Sequence, residues 1–183
     1  MTDHSSGTVK VWDPLVRLFH WGLVASFTVT WLTGDEWDDV HEIAGYVIAG
    51  LIVFRLVWGG VGTRYARFSE FVRGPQVVIR YMKDAVRGRE RRYLGHNPAG
   101  AAMIVVLLLT LAGACITGWL YTTDWFWGAE LVEETHEWLA NALLLLVALH
   151  VGGVVLESWH HRENLTRSMV TGLKRSEAGH DRT

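Results

Sequence analysis

Two histidines lie in the long apolar stretch THEWLANALLLLVALHVGGVVLESW, which covers residues 135–159. His136 and His150 are fourteen residues apart, so a helix returns them to nearly the same face, roughly 21 Å apart along its axis. An imidazole inside a membrane helix is costly and tends to mark function. Neutral imidazole binds iron well. Two histidines at two different depths along one helix therefore predict two stacked haems, each held by two histidines.

The hydropathy of the chain predicts the helices that must supply the opposing ligands. Half of the 183 residues are hydrophobic and ten are Trp, which is unusual for a soluble domain. About 20 apolar residues span a bilayer. We therefore predict an all-α membrane protein, a four-helix transmembrane bundle forming a single membrane domain over residues 1–183. Its helices are expected at about 14–33, 42–60, 98–121 and 136–159, joined by a loop over 60–96 and followed by a tail over 160–183.

The distribution of charge orients these spans. Nine of the 17 basic residues lie in the connection 60–96 and five in the tail, and the others are Lys10, Arg17 and Arg55. The connections 33–42 and 122–137 contain no Lys or Arg and are rich in Asp and Glu. By the positive-inside rule, both termini and the 60–96 connection are cytoplasmic. We expect a multi-pass membrane protein.

The connection 60–96 is too long to be a simple turn. Residues 75–86, PQVVIRYMKDAV, place apolar side chains on one face of a helix. We predict an amphipathic helix that lies on the inner membrane surface. A solvated loop helix is the alternative.

The four histidines of the spans form two pairs by estimated depth. His20 lies about two turns in from the cytoplasmic end of the first helix, and His150 lies towards the same side. His41 just precedes the second helix and His136 opens the fourth, both at the outer side. We therefore predict His20 with His150 at an inner haem, and His41 with His136 at an outer haem. Packing histidines inside the helices, or structural histidines at the interface, are the alternatives.

Other residues near the depths of these two histidine pairs are suited to the surroundings of a haem. Gly45 and Gly152 leave room for a flat macrocycle. Arg17 and Arg55 lie near the cytoplasmic side as possible propionate contacts, although both side chains could instead extend to lipid phosphates. His96 precedes the third helix, where it could contact a quinone or a propionate or be a plain interfacial histidine.

Two other chemistries fit the sequence less well. The chain has a single cysteine, Cys115, and no CxxCH motif, so an internal disulfide and covalent haem attachment are both excluded. A zinc or transition-metal transporter usually adds carboxylate or thiolate ligands within the membrane. The spans contain no Asp or Glu before Glu157 beyond their acidic outer ends.

The order of several motifs resembles a known family, the bacterial cytochrome b561 and nickel-hydrogenase b-type cytochromes. The resemblance covers nearly the whole chain from Val11 to Lys174. It rests on R-L-F-H-W (17–21), H-E-x-A-G-Y (41–46), G-T-R-Y-A-R-F (62–68), G-P (74–75), G-H-N-P-x-G (95–100) and H-E-W-L-A…H-V-G-G (136–153).

This resemblance implies a di-haem cytochrome with four or five helices, whose ligands map to His20, His41, His136 and His150. It implies electron transfer in a respiratory chain between the quinone pool and a periplasmic partner, a c-type cytochrome or a hydrogenase-like enzyme. Superoxide oxidation coupled to quinone reduction is an alternative that the acidic outer loops disfavour by repulsion. A non-redox metal transporter or assembly subunit is the alternative from another class. Membrane lipid is an expected partner and nucleic acid is not.

Overall fold

The computed structural model describes residues 7–34 and 36–176, and helices dominate that part of the chain. Four of the helices are long and apolar enough to cross a membrane, as predicted. In chain order the elements are β1 (Thr8–Lys10), α1 (Pro14–Thr33), α2 (Asp38–Val61), a 3-10 turn (Arg64–Ala66), α3 (Phe68–Phe71), α4 (Pro75–Val86), α5 (Pro98–Tyr121), α6 (Glu130–His160), α7 (Leu165–Thr171) and β2 (Leu173–Arg175).

The starts of α1 and α5 follow from local sequence. Pro14 and Pro98 occupy the first helical position, where a missing N–H leaves no hydrogen bond unmade. Asn97 caps α5, because its Oδ1 accepts a hydrogen bond from the N–H of Gly100 at 2.7 Å. Asp13 caps α1, since its Oδ1 accepts from the N–H groups of two first-turn residues.

The helices α2 and α6 begin earlier than the expected starts at 42 and 136. Asp38 and Asp39 lie in the first turn of α2, and Glu130 and Glu133 lie in the first turn of α6. Carboxylates are favourable at a helix N-terminus because they face the positive end of the helix dipole. The sequence expectation followed the apolar runs alone and therefore missed these polar extensions. As a result, His41 and His136 lie inside their helices rather than at the entrances.

The long helices expose large apolar side chains. The exposed fractions of Leu18 in α1, Leu109 in α5 and Leu156 in α6 are 69%, 68% and 64%. Such exposure would be unfavourable in water and is expected of helices that face lipid. These surfaces support the assignment of the chain as a membrane protein.

One compact unit comprises the described residues 7–17, 58–103 and 150–176. Its apolar core is formed by Val11, Trp12 and Leu94, with Tyr65 and Met169 packed against them. The short helices α3, α4 and α7 belong to this unit. Helix α4 covers the same twelve residues in which the sequence predicts a helix.

A two-stranded antiparallel sheet in the same unit departs from the expected all-α fold. β1 pairs with β2 in the register Thr8↔Arg175, Val9↔Lys174 and Lys10↔Leu173. Strands of three residues are too short to show an alternating pattern, and these two are more than 160 residues apart in sequence. The sheet could not be predicted from the sequence for this reason.

The second compact unit comprises residues 18–57 and 104–149, with residue 35 outside the described chain. It contains most of α1, α2 and α5 and the first two thirds of α6. Ala44, Ile48, Ile52 and Leu143 are among its buried apolar side chains. His41 and His136 lie in this unit, so their mutual geometry can be described directly.

Candidate haem site

His41 of α2 and His136 of α6 lie next to each other. Their ring centroids are 6.0 Å apart and the ring planes meet at 73°. Both side chains are half-buried. The sequence predicts this pair from depth alone, and the structure brings the two imidazoles together.

Each of the two imidazoles is oriented by a backbone carbonyl. Nδ1 of His41 lies 2.9 Å from the carbonyl oxygen of Thr30. Nδ1 of His136 lies 2.9 Å from the carbonyl oxygen of Ala114. Because a carbonyl oxygen only accepts, each Nδ1 carries the hydrogen and donates it. In the neutral ring, Nε2 then keeps its lone pair, which is the state of a metal-binding histidine fixed by an outer hydrogen bond.

Small residues allow the helices to approach these rings. A Cβ atom added to Gly118 of α5 would lie 3.0 Å from Cε1 of His136, and one added to Gly34 would lie 3.6 Å from Nδ1 of His41. At Gly45 an added Cβ would meet nothing within 4 Å. Gly45 therefore leaves open space one turn after His41.

The geometry of the pair fits a haem. A metal–imidazole bond is about 2 Å long and the ring centroids are 6.0 Å apart, so both histidines would be within reach of one iron. Within residues 7–34 and 36–176, no three His, Cys, Asp or Glu side chains are grouped as a site for a bare metal ion. A macrocycle that brings four nitrogen ligands of its own needs only two from the protein.

The other predicted ligands lie in the helices where the sequence places them. His20 lies in α1, with its ring edge-on to Trp21 at a centroid distance of 5.1 Å. His150 lies in α6, half-buried and ten residues before its end. Their assignment to one inner haem stays a prediction.

The predicted supporting residues have distinct surroundings. Nη1 of Arg17 donates to the carbonyl of Thr171 at 3.3 Å. Arg55 is only 3% exposed, which is not the environment of a side chain that extends to lipid phosphates. The ring of His96 lies 4.6 Å from that of Trp12 and 4.5 Å from that of Phe71.

Gly152 is open, since an added Cβ would meet no atom within 4 Å. The roles of Arg17, Arg55, Gly45, Gly152 and His96 toward a cofactor therefore remain predictions. The sequence analysis missed the carbonyls of Thr30 and Ala114 and the close approach of Gly118. A backbone carbonyl has no sequence signal, whereas a glycine inside an uncharged span is a recognisable sign of close helix packing.

Four helices able to cross a membrane and a pair of carbonyl-oriented histidines are features that a membrane haem protein would have. The family model described as prokaryotic cytochrome b561 matches residues 11–172. The chain therefore belongs to the prokaryotic cytochrome b561 family, which confirms the resemblance seen in the sequence. This family membership implies haem b as the cofactor and electron transfer as the activity.

Several curated relatives are similar over most of their length. The probable Ni/Fe-hydrogenase B-type cytochrome subunit of Rhodobacter capsulatus is 25% identical, with 90% of this chain and 80% of the relative covered. The protein of the same description from Bradyrhizobium diazoefficiens is 26% identical, with 90% and 85% covered. The alignments extend over 213 and 212 positions, so the relatives contain insertions relative to this 183-residue chain. No solved structure matches the chain.

Proposed function

We propose that this protein carries electrons across the cytoplasmic membrane between a periplasmic redox partner and the quinone pool, through two non-covalent haems b. The observation that carries this proposal is the pair His41 and His136, whose rings are 6.0 Å apart and whose Nδ1 atoms both donate to backbone carbonyls. A pair held in this way has little freedom to rearrange when the charge of a bound metal changes.

Four histidines hold the two haems in this proposal. His41 and His136 hold the outer one, and His20 and His150 hold the inner one. The spacing of His136 and His150 on α6 sets the two levels roughly 21 Å apart by helical rise. A haem held by two histidines would exchange single electrons and would have no open position for other chemistry.

The protein's own residues position and neutralise the cofactors. The carbonyls of Thr30 and Ala114 fix the tautomer of the outer ligands. The buried guanidinium of Arg55 and that of Arg17 supply positive charge for anionic propionates on the cytoplasmic side.

The acidic outer connections select the periplasmic partner. Asp38, Asp39, Glu133, Glu134 and Glu137 are all exposed at the ends of α2 and α6. Beside them, Trp125 and Trp127 expose 92% and 75% of their surfaces. A basic c-type cytochrome, or a redox subunit with a basic face, complements this surface. The curated relatives are described as hydrogenase subunits, which supports a hydrogenase-like enzyme as the alternative periplasmic partner.

In the same proposal, the distribution of charged residues along the chain sets the membrane topology. Both termini and the connection that contains α4 lie on the cytoplasmic side of the bacterial inner membrane. Helix α4 lies along the inner membrane surface with its exposed Ile79, Met82 and Val86, which share one face, toward lipid.

Spectroscopy of the purified protein in detergent tests the proposal. We expect two haems b per chain, reduced by a periplasmic donor and reoxidised by a quinone. The donors to compare are a basic cytochrome c and a hydrogenase, each in proteoliposomes that contain the quinone. A protein with no reduced b-type band, or with one haem per chain at full loading, would contradict the two-haem proposal.

A further inference from the structure

Glu157, near the cytoplasmic end of α6, is surrounded by polar side chains. Its Oε1 accepts hydrogen bonds from the hydroxyl of Tyr81 and from the side-chain amide of Asn97. Its Oε2 lies 3.1 Å from Nε2 of His161. The side chains of Glu157 and His161 are only 23% and 15% exposed. The carboxyl group and the imidazole are close enough for the charge of one to influence the protonation of the other.

A cavity of about 50 Å³ adjoins this pair. Asn97, Glu157, His161, Glu163 and Lys174 contribute to its lining. A polar cavity of this size has room for one or a few water molecules with several hydrogen-bond partners. Water there would connect the pair with the other charged groups of the cavity.

The other carboxylate that lines the cavity, Glu163, is paired with two basic side chains. Nη2 of Arg92 lies 2.9 Å from Glu163, and Nζ of Lys174 lies 3.7 Å from the same carboxylate. Burial tends to raise the pKa of Glu163, but hydrogen bonds from Arg175 and Arg92 and the charges of Lys174 and Arg92 keep that pKa below its ordinary value. Glu163 therefore stays ionised at neutral pH.

Tyr81 of α4 stays a hydrogen-bond donor. Burial raises the pKa of its hydroxyl well above the ordinary value, and the hydrogen bond to Glu157 and the charges of Glu157 and Glu90 raise it further. Glu90 itself lies 3.2 Å from Nε2 of His160. The hydroxyl of Tyr81 thus stabilises the ionised form of Glu157 without becoming charged.

The position of Glu157 relative to His150 gives this site a role. The two residues are seven apart on α6, so they lie on the same face about 10 Å apart along the axis. A negative charge at that distance in a membrane protein stabilises an oxidised, more positive redox centre and disfavours its reduction.

We propose that Glu157 and His161, with the cavity beside them, form a proton-binding site that takes up one proton from the cytoplasm when the inner haem receives one electron. This inference rests on the proposed function, because it uses His150 as a ligand of the inner haem. The electron comes from the periplasmic partner and the proton from water. When the electron moves on, the proton is released. Two such cycles supply the two electrons and two protons that convert a quinone into a quinol.

Redox titration of the two-haem protein at several pH values tests the inference. The midpoint potential of the inner haem should fall with rising pH in the wild type. In Glu157→Gln that pH dependence should be lost while the outer haem is unchanged. Glu70→Gln is the matched control, since Glu70 is an exposed carboxylate that pairs with Arg64 and Arg67 instead.

Infrared difference spectra give a readout that does not depend on turnover. Reduction of the wild type should add a carboxyl C=O band that shifts in heavy water, and Glu157→Gln should lack it. Tyr81→Phe removes one hydrogen-bond donor to the carboxylate of Glu157. The pH range over which the midpoint potential of the inner haem varies should therefore move to higher pH. This variant keeps the ring and serves if Glu157→Gln does not fold.

The outcomes separate the inference from the function on which it rests. A two-haem protein whose inner potential has the same pH dependence in the wild type and in Glu157→Gln overturns the proton site alone. A Tyr81→Phe variant in which the midpoint potential of the inner haem varies over the same pH range as in the wild type also overturns the proton site. A protein that binds fewer than two haems, or that keeps both after loss of His150, overturns the haem assignment instead.

Discussion

Gly118 and His136 lie so close together that any side chain on the glycine would meet the imidazole. A Cβ atom at Gly118 would lie 3.0 Å from Cε1 and 3.3 Å from Nδ1 of His136. The same Nδ1 donates to the carbonyl of Ala114 at 2.9 Å. The ring therefore meets α5 at residues 114 and 118, and its position depends on the absence of a side chain at residue 118.

Gly118→Val should displace the ring of His136 and lower the content of the outer haem. Overpacking of this kind costs about 1–3 kcal/mol, and a displaced ligand binds iron poorly. Haem content per chain and the reduced spectrum measure the effect. Gly50→Val is the matched control, because a Cβ there meets no atom within 4 Å. Equal haem loss in both variants, or none in either, would contradict the assigned role of Gly118.

His150→Ala should remove the inner haem and leave the spectrum of the outer one. The proposed outer ligands His41 and His136 lie in the other compact unit, with carbonyl contacts that do not involve His150. The variant should therefore bind one haem per chain instead of two. His160→Ala is a suitable control, since it removes an exposed histidine at the end of the same helix without removing a proposed ligand. Loss of both haems in a folded His150→Ala protein would count against the pairing by depth.

The membrane spans and the outer pair are the parts of the molecule most readily predicted from the sequence. Hydropathy depends on composition along one helix, so it identifies α1, α2, α5 and α6 without knowledge of packing. The cap by Asn97 is likewise local, because Asn next to Pro at a helix start has one common explanation. His41 and His136 could be paired because the charge map converts sequence position into depth.

Features that depend on distant contacts could not be predicted. The surroundings of Glu157 combine Tyr81, Asn97 and His161 from separate segments, and no pattern in any one segment indicates the others. The sheet of β1 and β2 joins opposite ends of the chain in three-residue strands. The early starts of α2 and α6 were missed for a different reason, because an acidic helix turn outside the apolar run has no hydropathy signal.

Asp13→Ala should destabilise the protein by about 1–2 kcal/mol through loss of a helix cap. Asp13 Oδ1 accepts from the N–H groups of Leu15 and Val16, and Oδ2 accepts from Trp58 and Thr63. The variant loses all of these bonds at a site that is 8% exposed. Thermal unfolding in detergent measures the change, and Asp124→Ala, at an exposed carboxylate, should have little effect.

The stability that Asp13 contributes should also depend on pH. Burial tends to raise the pKa of its carboxyl, but the hydrogen bonds from Thr63, Val16, Trp58 and Leu15 bring that pKa below the ordinary value. The contribution is therefore complete above the unfolded pKa of about 4 and is lost as pH falls through the lower folded pKa. In acid, wild type and Asp13→Asn should converge in stability. A difference that grows as pH falls would contradict this account.

Association with a basic cytochrome c should depend on the acidic outer surface and on salt. Asp124→Asn combined with Glu134→Gln removes two exposed charges there and should slow association on the order of severalfold at low ionic strength. The matched control, Glu70→Gln with Asp84→Asn, removes the same charge from the connection assigned to the cytoplasm. The difference should shrink between 0.01 M and 0.15 M salt, because the Debye length falls from about 30 Å to about 8 Å. Stopped-flow reduction of the outer haem measures the rate, and equal slowing by both double variants would exclude the acidic surface as the docking face.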